Sequence, residues 1–109
     1  MNETKRKRLE KQILRLTSEI TYRKLKNIEM GFITYTGCSL KEDASRAEIT
    51  VAVYTELENG NSIKNLNRAA GFFRSLIGKS LGLRNSPEIC FVPDTSAEKV
   101  QRIDSLLDK

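Results

Sequence analysis

Eight basic side chains fall into two groups whose spacing suits the binding of phosphate. Lys64, Arg68, Arg74, Lys79 and Arg84 lie between residues 59 and 87 with no acid among them, which gives that stretch a charge of +5. Arg8, Lys11 and Arg15 stand three and four residues apart in a segment, 1–26, that carries +6. Residues 27–58 carry −4 and residues 88–109 carry −2, so the net +5 of the 109 residues is polarised along the chain. Such polarity attracts a polyanion and orients the protein toward it. Ordinary solvated surface is the competing reading, and charge alone does not separate the two.

Catalytic chemistry finds no such support. The chain has no histidine, so the commonest general base is missing, and no serine, cysteine or lysine sits in a recognisable nucleophile setting. Gly78-Lys79-Ser80 looks like the tail of a phosphate-binding loop, but that loop needs a further glycine where Phe73 stands. Cys38 and Cys90 are far apart, with no paired-cysteine motif, which argues against zinc and for two free, buried thiols in a reducing compartment. The amino terminus has no apolar stretch after its first basic residues, so no secretory signal is expected. The expectation is a cytosolic, non-enzymatic protein with no cofactor and no metal.

The elements that must carry these residues can be read from periodicity. Residues 4–26 predict a helix, with Leu9, Ile13, Leu16 and Ile20 on one apolar side and Arg8, Lys11, Arg15, Lys26 and Tyr22 away from it. Residues 31–40 are rich in aromatic and β-branched types and predict a strand. After a polar turn at Lys41-Glu42-Asp43, Ala47, Ile49, Val51 and Val53 alternate with more polar neighbours, as in a strand with one buried face. The two strands are expected to pair as an antiparallel hairpin. Asn59-Gly60-Asn61-Ser62 predicts a turn that caps the next helix. Residues 62–83 are helical in pattern but contain Gly71, whose cost of about 1 kcal/mol against alanine predicts a break and two helices. Ile89–Val92 predicts a third strand, which Pro93 stops or edges. A capping box at Thr95 and Glu98 begins a last helix with Val100, Ile103 and Leu106 or Leu107 on its apolar side.

Within residues 71–83, Phe72, Phe73, Leu76, Ile77, Leu81 and Leu83 share one broad side. Gly71, Ser75, Gly78 and Gly82 fall on the other, with Lys79 beside them, Arg74 at the border, and Lys64 and Arg68 extending the line across the break. A smooth row edged by cations suits the close approach of a nucleic-acid backbone. The same row would equally suit packing beneath the first helix or a loop.

Residues 66–96 resemble the ribosome-binding factor A family. The match lies in a helix with an Ala-x-Gly break, a Gly-Phe-x-Arg-Ser-Leu-x-Gly-Lys run, and a Leu-Arg-x-x-Pro-Glu-(apolar)-x-Phe-x-x-Asp-x-Ser close, all in order. The first helix and the hairpin resemble it more weakly. The resemblance implies one α+β domain over residues 1–109 with a type II KH-like fold, α-β-β-α-kink-α-β-α, its helices on one face of a three-stranded mixed sheet. In it the Ala69-Ala70-Gly71 kink replaces the Gly-x-x-Gly loop of ordinary KH domains. It also implies a protein that binds free small (30S) ribosomal subunits, contacts 16S ribosomal RNA, assists late maturation and RNA processing, is linked to cold adaptation, and leaves translating ribosomes; a monomer is the default expectation. Two features depart from the family: Lys26-Asn27-Ile28-Glu29-Met30 stands where an Asp-Pro-Arg element is common, and the charged carboxy-terminal tail is missing.

The expected RNA-facing residues are therefore Arg8, Lys11, Arg15, Lys64, Arg68, Arg74, Lys79 and Arg84, as phosphate contacts, with Ser75, Gly78 and Gly82 providing closeness. Two rivals remain at this level. One is a general single-stranded RNA binder, for which Tyr22, Tyr35 or Tyr54 would have to stack on bases. The other is a protein-interaction module that uses the acidic segments.

Overall fold

The computed structural model describes residues 2–24, 31–55 and 61–95, and the expected last helix lies outside them. Helix α1 runs Glu3–Lys24, strands β1 and β2 run Phe32–Leu40 and Arg46–Thr55, helices α2 and α3 run Ser62–Arg68 and Ala70–Leu81, and strand β3 runs Glu88–Pro93. The strand order is β1-β2-β3, antiparallel between the first two and parallel between the last two. This is the mixed sheet that the resemblance implies.

Alternation along β2 decides which face is covered. Ala47, Ile49 and Val51 are buried beside Ile89 and Phe91 of β3 and Leu40 of β1, and the helices supply Ile13, Ile20, Leu66, Phe73 and Ile77 to the same core. Phe91 sits at its centre, edge-on to Phe73 at 5.0 Å and tilted against Tyr35 at 5.8 Å between ring centres. Two register shifts keep β1 in step with this core. The second, between Tyr35 and Gly37, lets both Tyr35 and Cys38 face the helices, opposite Val51 and Ile49, although they stand an odd three positions apart.

Polar side chains pin the layers together. Thr17, buried within α1, donates to the Ile13 carbonyl at 2.8 Å, so its hydroxyl is satisfied one turn back. Thr21 and the Tyr35 hydroxyl lie 2.7 Å apart, and a Glu10 carboxylate accepts from the Leu40 N–H at 2.7 Å, fixing α1 to β1. The Asn67 side chain both donates to the Phe91 carbonyl at 3.0 Å and accepts from its N–H at 2.8 Å. It thereby imitates a neighbouring strand along the outer edge of β3, where Pro93 offers no N–H at all.

The break in the second helical segment lies at Ala69, the first residue of the expected Ala69-Ala70-Gly71 kink, and not at Gly71, where the cost of glycine alone puts it. Ala69 has φ −91° and ψ 4°, its N–H bonds the Leu66 carbonyl, and its own carbonyl begins α3 by accepting from Phe72 and Phe73. Gly71 belongs to the first turn of α3. Asn61 occupies the N-cap position of α2 without a capping bond from its side chain. Cys38 and Cys90 are free, as expected, but both are only half-buried, and they lie on opposite faces of the sheet.

Candidate nucleic-acid interface

All eight expected phosphate contacts reach solvent: Arg8, Lys11 and Arg15 on α1, Lys64 and Arg68 on α2, Arg74 and Lys79 on α3, and Arg84 in the loop to β3. The apolar residues of the same helices point into the core, so the cations stand on the helix side of the molecule. Arg15 has Glu19 one turn away at 3.9 Å, a surface pair too exposed to immobilise it.

The small-residue row divides. Gly71 and Ser75 are exposed, and a β-carbon on Gly71 would meet nothing within 4 Å. Gly78, expected to face outward, is buried instead under the loop that follows α3, where a β-carbon would come within 2.8 Å of the Ser86 Cβ. Gly82 is exposed, yet its place in the row is set by the backbone: it ends α3 in the left-handed conformation, φ 63°, while the Leu83 N–H returns to the Gly78 carbonyl at 2.9 Å.

Arg74 holds that loop. Its Nε donates to the Ser86 carbonyl at 3.0 Å, and the Ser86 hydroxyl donates back to the Arg74 carbonyl at 2.8 Å. With Pro87 buried next to it, Ser86 is anchored from three sides. The loop consequently presents Arg84 from a fixed base, and Arg74 itself stays exposed beside it. The only sequence signal for this clamp is the need of an arginine and a serine for partners, which no periodicity reveals.

The aromatic side chains are distributed differently from expectation. Tyr35 is half-buried against the core, and burial raises the pKa of its hydroxyl above the ordinary range despite the opposing bond to Thr21. Tyr22 is 83% exposed at the end of α1. Phe72, placed by periodicity on the apolar side of α3, is 43% exposed, whereas its neighbour Phe73 is fully buried. Phe32 was not expected to be free, yet it is 66% exposed and lies 5.7 Å from the Tyr54 ring on the face of the sheet opposite the helices. No helix among the described residues is long and apolar enough to cross a membrane.

Comparison with known proteins places this geometry in context. Residues 5–107 match the family model of ribosome-binding factor A. The ribosome-binding factor A of Natranaerobius thermophilus is 35% identical over 108 residues, 98% of this chain and 82% of that protein. That of Desulfitobacterium hafniense is 38% identical over 101 residues, 92% of this chain and 81% of that one. The crystal structure of ribosome-binding factor A from Thermus thermophilus has a TM-score of 0.67 and 25% identity, covering 81% of this chain and 94% of its own. Coordinates of a homology model of the Thermus thermophilus protein, fitted into the cryo-EM map of its 30S complex, give 0.65 and 25%, covering 81% and 93%.

Proposed function

The chain belongs to the ribosome-binding factor A family and is thus a ribosome-binding factor, and we propose that it binds the free small (30S) subunit, contacts 16S ribosomal RNA and assists late maturation and processing of that RNA. The observation that carries this reading is the separation of charge by side: eight cations stand exposed on the helix side, and residues 59–87 contain no acid to offset five of them. A relative from Thermus thermophilus has been placed in a 30S complex.

In this reading each cation makes a phosphate contact that supplies affinity without reading sequence. Gly71 and Ser75, next to the Ala69-Ala70 kink, let the RNA backbone approach α3. Gly78 and Gly82 act one step removed, by letting the 83–87 loop close and present Arg84. The protein works as a cytoplasmic monomer, by binding alone, and matters most in the cold.

Sedimentation of cell lysate tests this. The protein should travel with free small subunits and be depleted from intact ribosomes and polysomes. Confinement to the top of the gradient, or equal occupancy of polysomes, would contradict an assembly role.

A further inference from the structure

Among the cations of α2 and α3 stands an aromatic ring. Phe72 is 43% exposed in the first turn of α3, while Phe73, the next residue, is fully buried and edge-on to Phe91. The N–H groups of both bond the Ala69 carbonyl, at 3.0 Å and 3.2 Å. The root of the exposed ring is therefore fixed by the kink on one side and by a core residue on the other. At about 100° per residue, Phe72, Ser75 and Lys79 fall within about 60° of one another, and all three are exposed. Gly71 beside them leaves open space, with nothing within 4 Å of a β-carbon, and Arg68 stands exposed just before the kink.

Such a row suits a ligand that has a flat apolar face with negative charge next to it. An apolar ring gains nothing from a phosphate. A duplex offers it little else, since the bases of a duplex are stacked inside and its accessible groove is lined by sugar and phosphate. An unpaired nucleotide offers both parts, a base to lie on the ring and flanking phosphates to meet the cations. The other exposed rings are placed less well. Phe32 and Tyr54 lie against each other on the open sheet face, opposite the helices, where the charged strand residues described are Arg46 with Glu48 and Glu88, an excess of one acid. Tyr22 is 83% exposed, so little of it packs that its ring has no fixed plane, whereas more than half of Phe72 is covered. A ring already held in place loses less freedom when a base stacks on it.

We propose that Phe72 is a base-stacking anchor, and that the RNA taken by α3 is single-stranded there, with one unpaired base on the ring and its flanking phosphates on Arg68 and Lys79. The inference rests on the RNA reading and narrows it, since phosphate contacts alone fit duplex and single strand alike.

The chain has no tryptophan, so Phe72→Trp gives it a single indole at the anchor. Free small subunits and a short single-stranded RNA should each quench that fluorescence on binding, and the same strand paired with its complement should not. Phe72→Ala should weaken small-subunit binding by roughly five- to 150-fold, the loss of one base–aromatic stack. The dependence of affinity on salt should stay as it was, because no charge is removed. Phe32→Ala, on the open sheet face, should bind like the parent. Equal quenching by the duplex overturns the proposal, as does a loss of binding in Tyr22→Ala with none in Phe72→Ala. Bound subunits that leave the indole unquenched overturn the anchor alone. A parent protein that binds no small subunits overturns the RNA reading itself, and the anchor with it.

Discussion

Gly78 and Ser75 lie three residues apart on one helix and call for opposite outcomes. Gly78→Gln forces a side chain against Ser86, whose Cβ would be 2.8 Å from the new one, and Ser86 is held by two hydrogen bonds to Arg74. Overfilling such a site costs typically about 1–3 kcal/mol, so the melting temperature should fall. Ser75 is exposed, and Ser75→Gln should melt like the parent while weakening small-subunit binding, because the longer side chain holds RNA off the helix. A melt and a binding assay on both variants check this; a Ser75→Gln protein that binds normally would move the contact elsewhere. Cys38 makes a second prediction. Burial, aided by the negative charge of Glu10, pushes its thiol from 9.0 to about 12. At pH 8 the reactive thiolate is then on the order of one molecule in 10⁴, so iodoacetamide should label Cys38 far more slowly in the native protein than in urea. The folded value exceeds the unfolded one, so folding holds the proton. The stability this contributes is complete below about pH 9, declines as pH rises from there, and is gone by about 12. Tyr35 shifts in the same direction and steepens the alkaline loss.

At the scale of elements, the kink between α2 and α3 is the feature that local sequence placed two residues too late. Glycine propensity reports a cost per residue and not the site of a bend. In the first turn of α3, where N–H groups lack helical partners in any case, Gly71 is easily tolerated. The bend is fixed by anchors on either side of Ala69: Leu66 in the core and Asn67 on the edge of β3 before it, Phe73 in the core after it. Gly71→Ala should therefore leave the bend unchanged, since its β-carbon meets nothing within 4 Å, and raise stability by up to about 1 kcal/mol. Thermal melting reads the gain, and unshifted amide resonances for Asn67 and Phe91 read the bend; a straightened helix would free that pair. The hairpin, by contrast, was legible because period-2 alternation from Ala47 to Val53 follows directly from burying one face. The α1 face was legible for the corresponding helical reason. What could not be read are contacts that depend on chain reversal, such as Arg74 with Ser86 and Glu10 with Leu40, since hydrogen-bond partners 12 and 30 residues apart leave no periodic trace. The same limit put Gly78 on the outside: its spacing shows which side of α3 it occupies, and only the loop beyond Gly82 shows that this side is covered.

For the molecule as a whole, what matters is that its charge has a side. The eight expected phosphate contacts are all exposed on the helices and the loop after α3, whereas the charged strand residues on the open sheet face number one arginine and two glutamates among those described. If the helix side meets RNA, binding releases counterions from each phosphate neutralised, and the logarithm of affinity should fall linearly with the logarithm of salt concentration. Each contact contributes roughly −0.7 to −0.9 to that slope, depending on whether the RNA is single-stranded or duplex. Lys64, Arg68 and Lys79 are exposed on the surfaces of α2 and α3, so replacing all three by alanine should leave the fold intact. The triple variant should flatten the slope by about 2 to 3 and weaken binding to unrelated RNA sequences about equally, as phosphate contacts do not read bases. Arg46→Ala, on the opposite face, is the matched control and should leave the slope as it was. If the triple variant keeps the parental slope, α2 and α3 are not the contact surface, and the remaining basic row of Arg8, Lys11 and Arg15 on α1 must carry it. A slope that changes only in Arg46→Ala would instead reverse the orientation of the molecule and place the sheet face against the RNA.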